Sequence, residues 1–151
     1  MPKVQASIDI VANPEDIWEL MCSPARYPAF ADPADRMIEI GDGVVKQGYT
    51  YKEHGGIRPF KSDSTWTVTT FEPTTHQIHV GDDGQMTIHL DVRVEPTASG
   101  SRLTQTIKLK PRWYMAPVSA VMWPLMMRKR AQETMDKTVA NVKRILEEGT
   151  T

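Results

Sequence analysis

The sequence predicts an α+β fold in which an antiparallel sheet is covered on one side by one long helix. Three observations carry the prediction. Seven stretches alternate apolar and polar residues, and six of them follow one another with only turn signals between. Residues 125–149 carry an apolar stripe at helical spacing. Between the first strand and the other six lie two short segments that open with helix-capping residues.

The elements follow in order. "VQASIDIVA" sets Val4, Ala6, Ile8 and Ile10 on one face, a half-buried strand. "NPEDIWELM" opens a helix, with Asn13 as cap, Pro14 in the first turn, Glu15 and Asp16 at the positive end of the dipole, and Ile17, Leu20 and Met21 as the apolar stripe. In "SPARYPAF", Ser23 caps, Pro24 opens and Pro28 stops a very short second helix. "RMIEIGDG" is a strand. "QGYTYKEHGG" and "PFKSDSTWTVTTFEP" are two more, joined by a glycine-rich turn. "HQIHV" and "QMTIHLDVRVEP" flank "GDDG", a hairpin signal because Asp-Gly tolerates the positive φ of a tight turn. The longer of the two turns Met86, Ile88, Leu90, Val92 and Val94 inward. "SRLTQTIKLKPRW" is the last strand. The final helix runs its stripe through Ala131, Met135, Val139, Val142 and Leu146, with Gly149 placed as a C-terminal cap.

Composition sets the class. A chain of 151 residues buries roughly 68–70% of its unfolded surface, so one domain spanning 1–151 is expected. A net charge of −1 provides no field to draw nucleic acid, and none is expected as a partner. Cys22 is the single cysteine, which excludes an internal disulfide and fits a reducing, cytoplasmic setting. "MPKVQASIDIV" lacks the pattern of a secretory signal. No phosphate loop, dinucleotide fingerprint, nucleophile elbow or HExxH is present, so no cofactor is expected. No metal is expected either, because His76 and His79 are three apart on a strand and point to opposite faces.

Residues 113–127, "WYMAPVSAVMWPLMM", are almost devoid of charge. As a helix they would cover about 22 Å against a hydrocarbon core of roughly 30 Å, so they do not span a bilayer. Core, pocket, partner surface, dimer interface and membrane-surface contact all remain as uses; near-neutral charge disfavours the last.

The order of elements, with four particular stretches, resembles the helix-grip fold of the START-related (SRPBCC) superfamily and its polyketide cyclase/dehydrase family. The stretches are "IDIVANPEDIWELMCSPARYPAF", with its aromatic-Pro-x-aromatic ending, "STWTVTTFEPTTHQI", "VEPTASGSRLTQT" and "MDKTVANVKRILEE". The resemblance implies a seven-stranded curved sheet gripping the long helix, with a cavity between. It makes residues 113–127 a roof over that cavity, with Met122 and Met126 facing a ligand. Five of the nine methionines, Met115, Met122, Met126, Met127 and Met135, fall in this region, and flexible thioethers suit variable apolar shapes.

Alternation lists the inner face beneath: Tyr49, Tyr51 and Glu53; Ser62, Ser64, Trp66 and Val68; His76, Ile78 and Val80; Ile88 and Leu90; Leu103, Gln105, Ile107 and Leu109. That is an apolar box with sparse polar groups, the character of a small-molecule site. Within it, Tyr49, Tyr51, Ser64, Trp66, Ile88, Leu90, Gln105 and Ile107 are the candidate ligand contacts, and Glu53 and His76 the candidates for acid–base work. Family aromatase/cyclases place an arginine on the pocket face of a middle strand, whereas "KSDSTWTVTTFE" has none. This shifts the expectation from cyclisation towards binding of a small hydrophobic or amphipathic molecule. A cyclase/dehydratase-type enzyme and a partner- or membrane-docking module are the rivals.

Overall fold

The computed structural model describes residues 2–148. Strand β1 (Lys3–Ile10) leads to α1 (Pro14–Met21), a 3-10 turn (Pro24–Arg26) and α2 (Tyr27–Phe30). Strands β2 (Ala34–Ile40), β3 (Thr50–Ile57), β4 (Phe60–Glu72), β5 (His76–Asp82), β6 (Met86–Thr97) and β7 (Gly100–Pro111) follow. The chain ends in α3 (Ala116–Met122), a π-helical turn (Trp123–Met127) and α4 (Arg128–Glu147). The strands form one antiparallel sheet in the order β1-β7-β6-β5-β4-β3-β2. The seven-stranded sheet and the long C-terminal helix are those the sequence predicts.

The core lies where α1 and α4 meet the sheet. Ile17, Leu20 and Met21 of α1 are buried as expected, joined by Trp18, which packs on Phe71 of β4 at 5.3 Å. Helix α4 buries Ala131, Met135, Thr138, Val139, Val142 and Ile145 and packs chiefly on β1. Each large apolar side chain so buried contributes roughly 1.5–3 kcal/mol. Ile145, rather than Leu146, completes the stripe. Polar residues fix the helix along its length: Thr138 Oγ1 accepts the Asp32 N–H at 3.0 Å, Asn141 Nδ2 donates to the Phe30 carbonyl at 3.0 Å, and Glu147 accepts the Val11 N–H at 2.8 Å.

Several local expectations are corrected. Asn13 caps α1 through its backbone carbonyl, which accepts from Asp16 at 3.1 Å and Ile17 at 3.4 Å; its side chain makes no cap bond. The Ser23 hydroxyl donates back to the Glu19 carbonyl at 2.7 Å instead of capping forward. Pro28 sits in the first turn of α2, where its missing N–H costs nothing, and so opens that helix instead of stopping it. Gly55 and Gly56 pair within β3, and the β3–β4 turn is made by Arg58-Pro59. The cap expected at Gly149 lies outside the described residues.

The largest correction concerns β5. Ile78 and Val80 are apolar, so alternation turns them and His76 inward; the structure turns Gln77, His79 and Gly81 inward instead. Their partners on β6 are Val92, Leu90 and Ile88, the inner face of that strand. Gly81 pins this register. It lies opposite Trp66, and a Cβ there would stand 2.6 Å from the indole ring. Thr69 is the extra residue of a bulge in β4, so the inward positions switch from Trp66 and Val68 to Phe71 beyond it.

Candidate functional site

The concave face of the sheet and the helices above it enclose a cavity of about 410 Å³, within the range of small-molecule pockets. Its floor is built by Tyr51 and Glu53 of β3, Ser64 and Trp66 of β4, His79 of β5, Ile88 and Leu90 of β6, and Gln105 and Ile107 of β7. Its roof is Met115, Met122, Trp123, Met127, Ala131 and Met135, and Tyr27 and Phe30 of α2 close one side. Met21 and Met86 add two further thioethers to the wall.

Most candidates named from the sequence therefore meet at one cavity, with three exceptions. Tyr49 is buried, but its hydroxyl donates to the Gly41 carbonyl at 3.0 Å, outside the cavity lining. His76 lies on the outer face, 3.1 Å from Asp91, and is removed from any role in the cavity. Met126 is displaced from the lining by Met127. The π-turn explains that shift. Regular α spacing carries Met122 to Met126, but one extra residue per turn carries it to Met127, and α spacing then resumes to Ala131 and Met135. Pro124, which supplies no N–H, sits in this turn. Of the two tryptophans in the apolar stretch, Trp123 faces the cavity, while Trp113 is 86% exposed.

Two polar features stand out. The first is a buried chain on the floor. The Tyr51 hydroxyl lies 2.7 Å from His79 Nδ1, and His79 Nε2 lies 2.6 Å from Gln77 Oε1. Gln77 Nε2 in turn points at Cys22 Sγ, 3.8 Å away. An oxygen acceptor at Nε2 assigns the proton there, leaving Nδ1 to accept from Tyr51. Burial lowers the His79 pKa to about 4, so the ring is neutral at neutral pH. Burial likewise raises the Tyr51 phenol well above its usual range.

The second is Glu53. Burial, then the charge of Asp35, raises its pKa to about 7; Lys61 and the Trp66 indole N–H oppose the rise. That indole N–H is buried and near enough to Glu53 to influence it, but it completes no hydrogen bond within 3.5 Å. Its ring stacks on Tyr51 with centroids 6.2 Å apart and planes 4° apart, and Tyr27 meets Tyr51 edge-on at 5.5 Å.

Sequence reasoning missed His79 and Gln77 because polar residues at alternate positions read as an outward face. The free signal was Gly81, since a glycine opposite a tryptophan is the place where a ring lies flat on the neighbouring strand. Tyr27 and Phe30 were visible as the aromatic-Pro-x-aromatic run but carried no assignment. No arginine lines the cavity among the described residues.

The sequence profile of the family described as "Polyketide cyclase / dehydrase and lipid transport" matches residues 1–147. No curated protein matches the sequence significantly. Among solved structures, the chain resembles TTHA0849 of Thermus thermophilus with a TM-score of 0.78 at 12% identity, covering 99% of this chain and 100% of that one. It resembles CV1439 of Chromobacterium violaceum with a TM-score of 0.72 at 10% identity, covering 97% and 99%. The di-domain ARO/CYC StfQ of the steffimycin biosynthetic pathway aligns with a TM-score of 0.76 at 9% identity, over 98% of this chain and 51% of that one. At such identities the likeness is one of fold.

Proposed function

The chain belongs to the polyketide cyclase / dehydrase and lipid transport family, and within it we propose that the protein binds a small hydrophobic or amphipathic molecule in the cavity beneath its last helices. The carrying observation is the cavity itself: about 410 Å³ of space between sheet and helices, walled mainly by apolar side chains. Close packing is the rule in protein interiors, and a void of this size forfeits contacts on every side. A ligand restores them. The polar groups Glu53, Ser64, Gln105 and the Tyr51–His79 pair give it an orientation. A polyketide-like body is one such shape, as the ARO/CYC name of StfQ suggests. The same reading takes the apolar stretch as a cover over the ligand and places the protein in the cytoplasm.

Native mass spectrometry of the purified protein tests the proposal by looking for a co-purified small molecule. An apolar fluorescent probe gives the energetic version. Trp66→Ala should weaken its binding by about 1–3 kcal/mol if the ring is a desolvated contact. Unchanged affinity in a folded mutant would remove Trp66 from the site.

A second reading, a cyclase- or dehydratase-type enzyme, is favoured by the Tyr51–His79–Gln77 chain. In that chain the phenol proton is held by His79, so the Tyr51 oxygen can accept a proton from a bound hydroxyl or enol while handing its own to the histidine. Under this reading Tyr51→Phe keeps ligand affinity and abolishes turnover; under plain binding there is no turnover to lose.

A further inference from the structure

We propose that the polar corner of the cavity receives the protonated amine of an amphipathic ligand, with the Glu53 carboxylate as counter-charge and the rings of Tyr27, Tyr51 and Trp66 as walls. This rests on the ligand-binding reading above and names the chemistry of its polar end.

Glu53 stands on the inner face of β3 between Met37 of β2 and Ser64 of β4, and it lines the cavity. Neither neighbour supplies charge. Lys61, which also lines the cavity, is held by Asp35 at 3.1 Å. Asp83, the other carboxylate in the lining, is already occupied. It accepts the Gln85 and Met86 N–H groups at 2.8 and 2.9 Å and the Ser62 hydroxyl at 3.3 Å. His79 on β5 is neutral, and the described roof residues add no charged group to the lining. Glu53 is thus a half-buried carboxyl whose nearest cation, Lys61, is paired with Asp35. Its pKa of about 7, raised chiefly by burial, agrees with that isolation.

The rest of the corner is aromatic. Tyr51 and Trp66 are parallel, and Tyr27 stands edge-on to Tyr51. The two phenols are committed, Tyr27 to the Met21 carbonyl at 2.7 Å and Tyr51 to His79 at 2.7 Å. What these residues offer a ligand is therefore π surface, together with one unsatisfied donor, the Trp66 indole N–H, and a cation within about 6 Å of such a ring is attracted by its quadrupole. An ammonium group satisfies both features at once. A neutral ligand leaves the carboxyl either uncompensated or protonated.

Titration calorimetry with 2-aminotetralin and 2-tetralol, which share one bicyclic body and differ in charge, tests the proposal. At about pH 8, where Glu53 is ionised, the amine should bind about 10-fold tighter or better. The preference should fade at about pH 5.5, where Glu53 is neutral. It should also vanish in Glu53→Gln, where the ratio of the two affinities, whatever their absolute values, should fall to about one at both pH values. Equal affinities in the wild type at the higher pH overturn the amine site and leave the cavity reading intact. A preference that survives in Glu53→Gln, or that is independent of pH in the wild type, also overturns it. Failure of both compounds to bind the wild type overturns the cavity reading and the amine site together.

Discussion

The two halves of the C-terminal helical run invert what their composition suggests. Residues 128–147 are rich in charge, yet α4 buries six side chains. Residues 116–127 are nearly all apolar, yet α3 and the π-turn contain no buried residue at all. The difference lies in what each half covers. Beyond its first turns, where Ala131 and Met135 border the cavity, helix α4 lies on packed protein, chiefly β1, so its narrow stripe is enclosed. The upstream half lies over the cavity, so its inward side chains, Met122 and Met127, look into space. Its outward side chains face water: Leu125 is 76% exposed and Val121 58%. Hydrophobicity measures how much a segment gains from leaving water, and burial depends on whether anything is there to receive it.

The sharpest way to break the comparison is to place a carboxylate in each half. Val142→Asp, in the part of the stripe that lies on packed protein and outside the cavity lining, should cost at least about 4 kcal/mol and abolish folding at modest temperature. Met122→Asp, on the cavity roof, should cost about 1 kcal/mol or less, because the group reaches open space. Thermal unfolding followed by circular dichroism checks both, and equal costs would erase the distinction.

A smaller effect comes from pH. The folded-state pKa of Glu53 is raised from 4.5 to about 7, so its contribution to stability falls as pH rises through that window. The folded-state pKa of His79 is lowered from 6.5 to about 4, so stability is lost as pH falls from 6.5 towards 4. The two slopes oppose each other and largely cancel in the wild type. Glu53→Gln removes one of them. That variant should gain stability from about pH 4 to about pH 6.5 and exceed the wild type by about 3 kcal/mol near pH 8. Denaturant midpoints across pH measure this, and a wild-type-like profile in the variant would contradict the burial of Glu53. The smallest effect belongs to the outer surface. Leu125→Ser should change stability by no more than about 0.5 kcal/mol and leave probe affinity untouched.

What was legible in the sequence follows the same division. Strand order, the presence of the two short helices and the stripe of α4 were readable because each buries one face against protein, where alternation and helical spacing are enforced by energy. The floor of the cavity was readable on β3, β4, β6 and β7 because the pleat of a paired strand alternates its side chains whether they meet protein or ligand space. On β5 the pattern misled, since Gln77 and His79 are buried by virtue of hydrogen bonds to each other and to Tyr51, a compensation no single position displays. On the roof, regular α spacing points to Met126, and the turn that widens by one residue delivers Met127 instead. Tyr49 followed the alternation correctly and is buried, but its hydroxyl is engaged by Gly41 away from the ligand space.

Methyl NMR of the methionines, with an apolar ligand added to saturation, tests the central claim most directly. If the ligand sits in the cavity beneath the π-turn, the Met122, Met127 and Met86 methyl signals move, while Met126, one residue away and outside the lining, stays in place. A shift at Met126 with Met127 silent, or a saturated complex in which no cavity methyl moves, would contradict it.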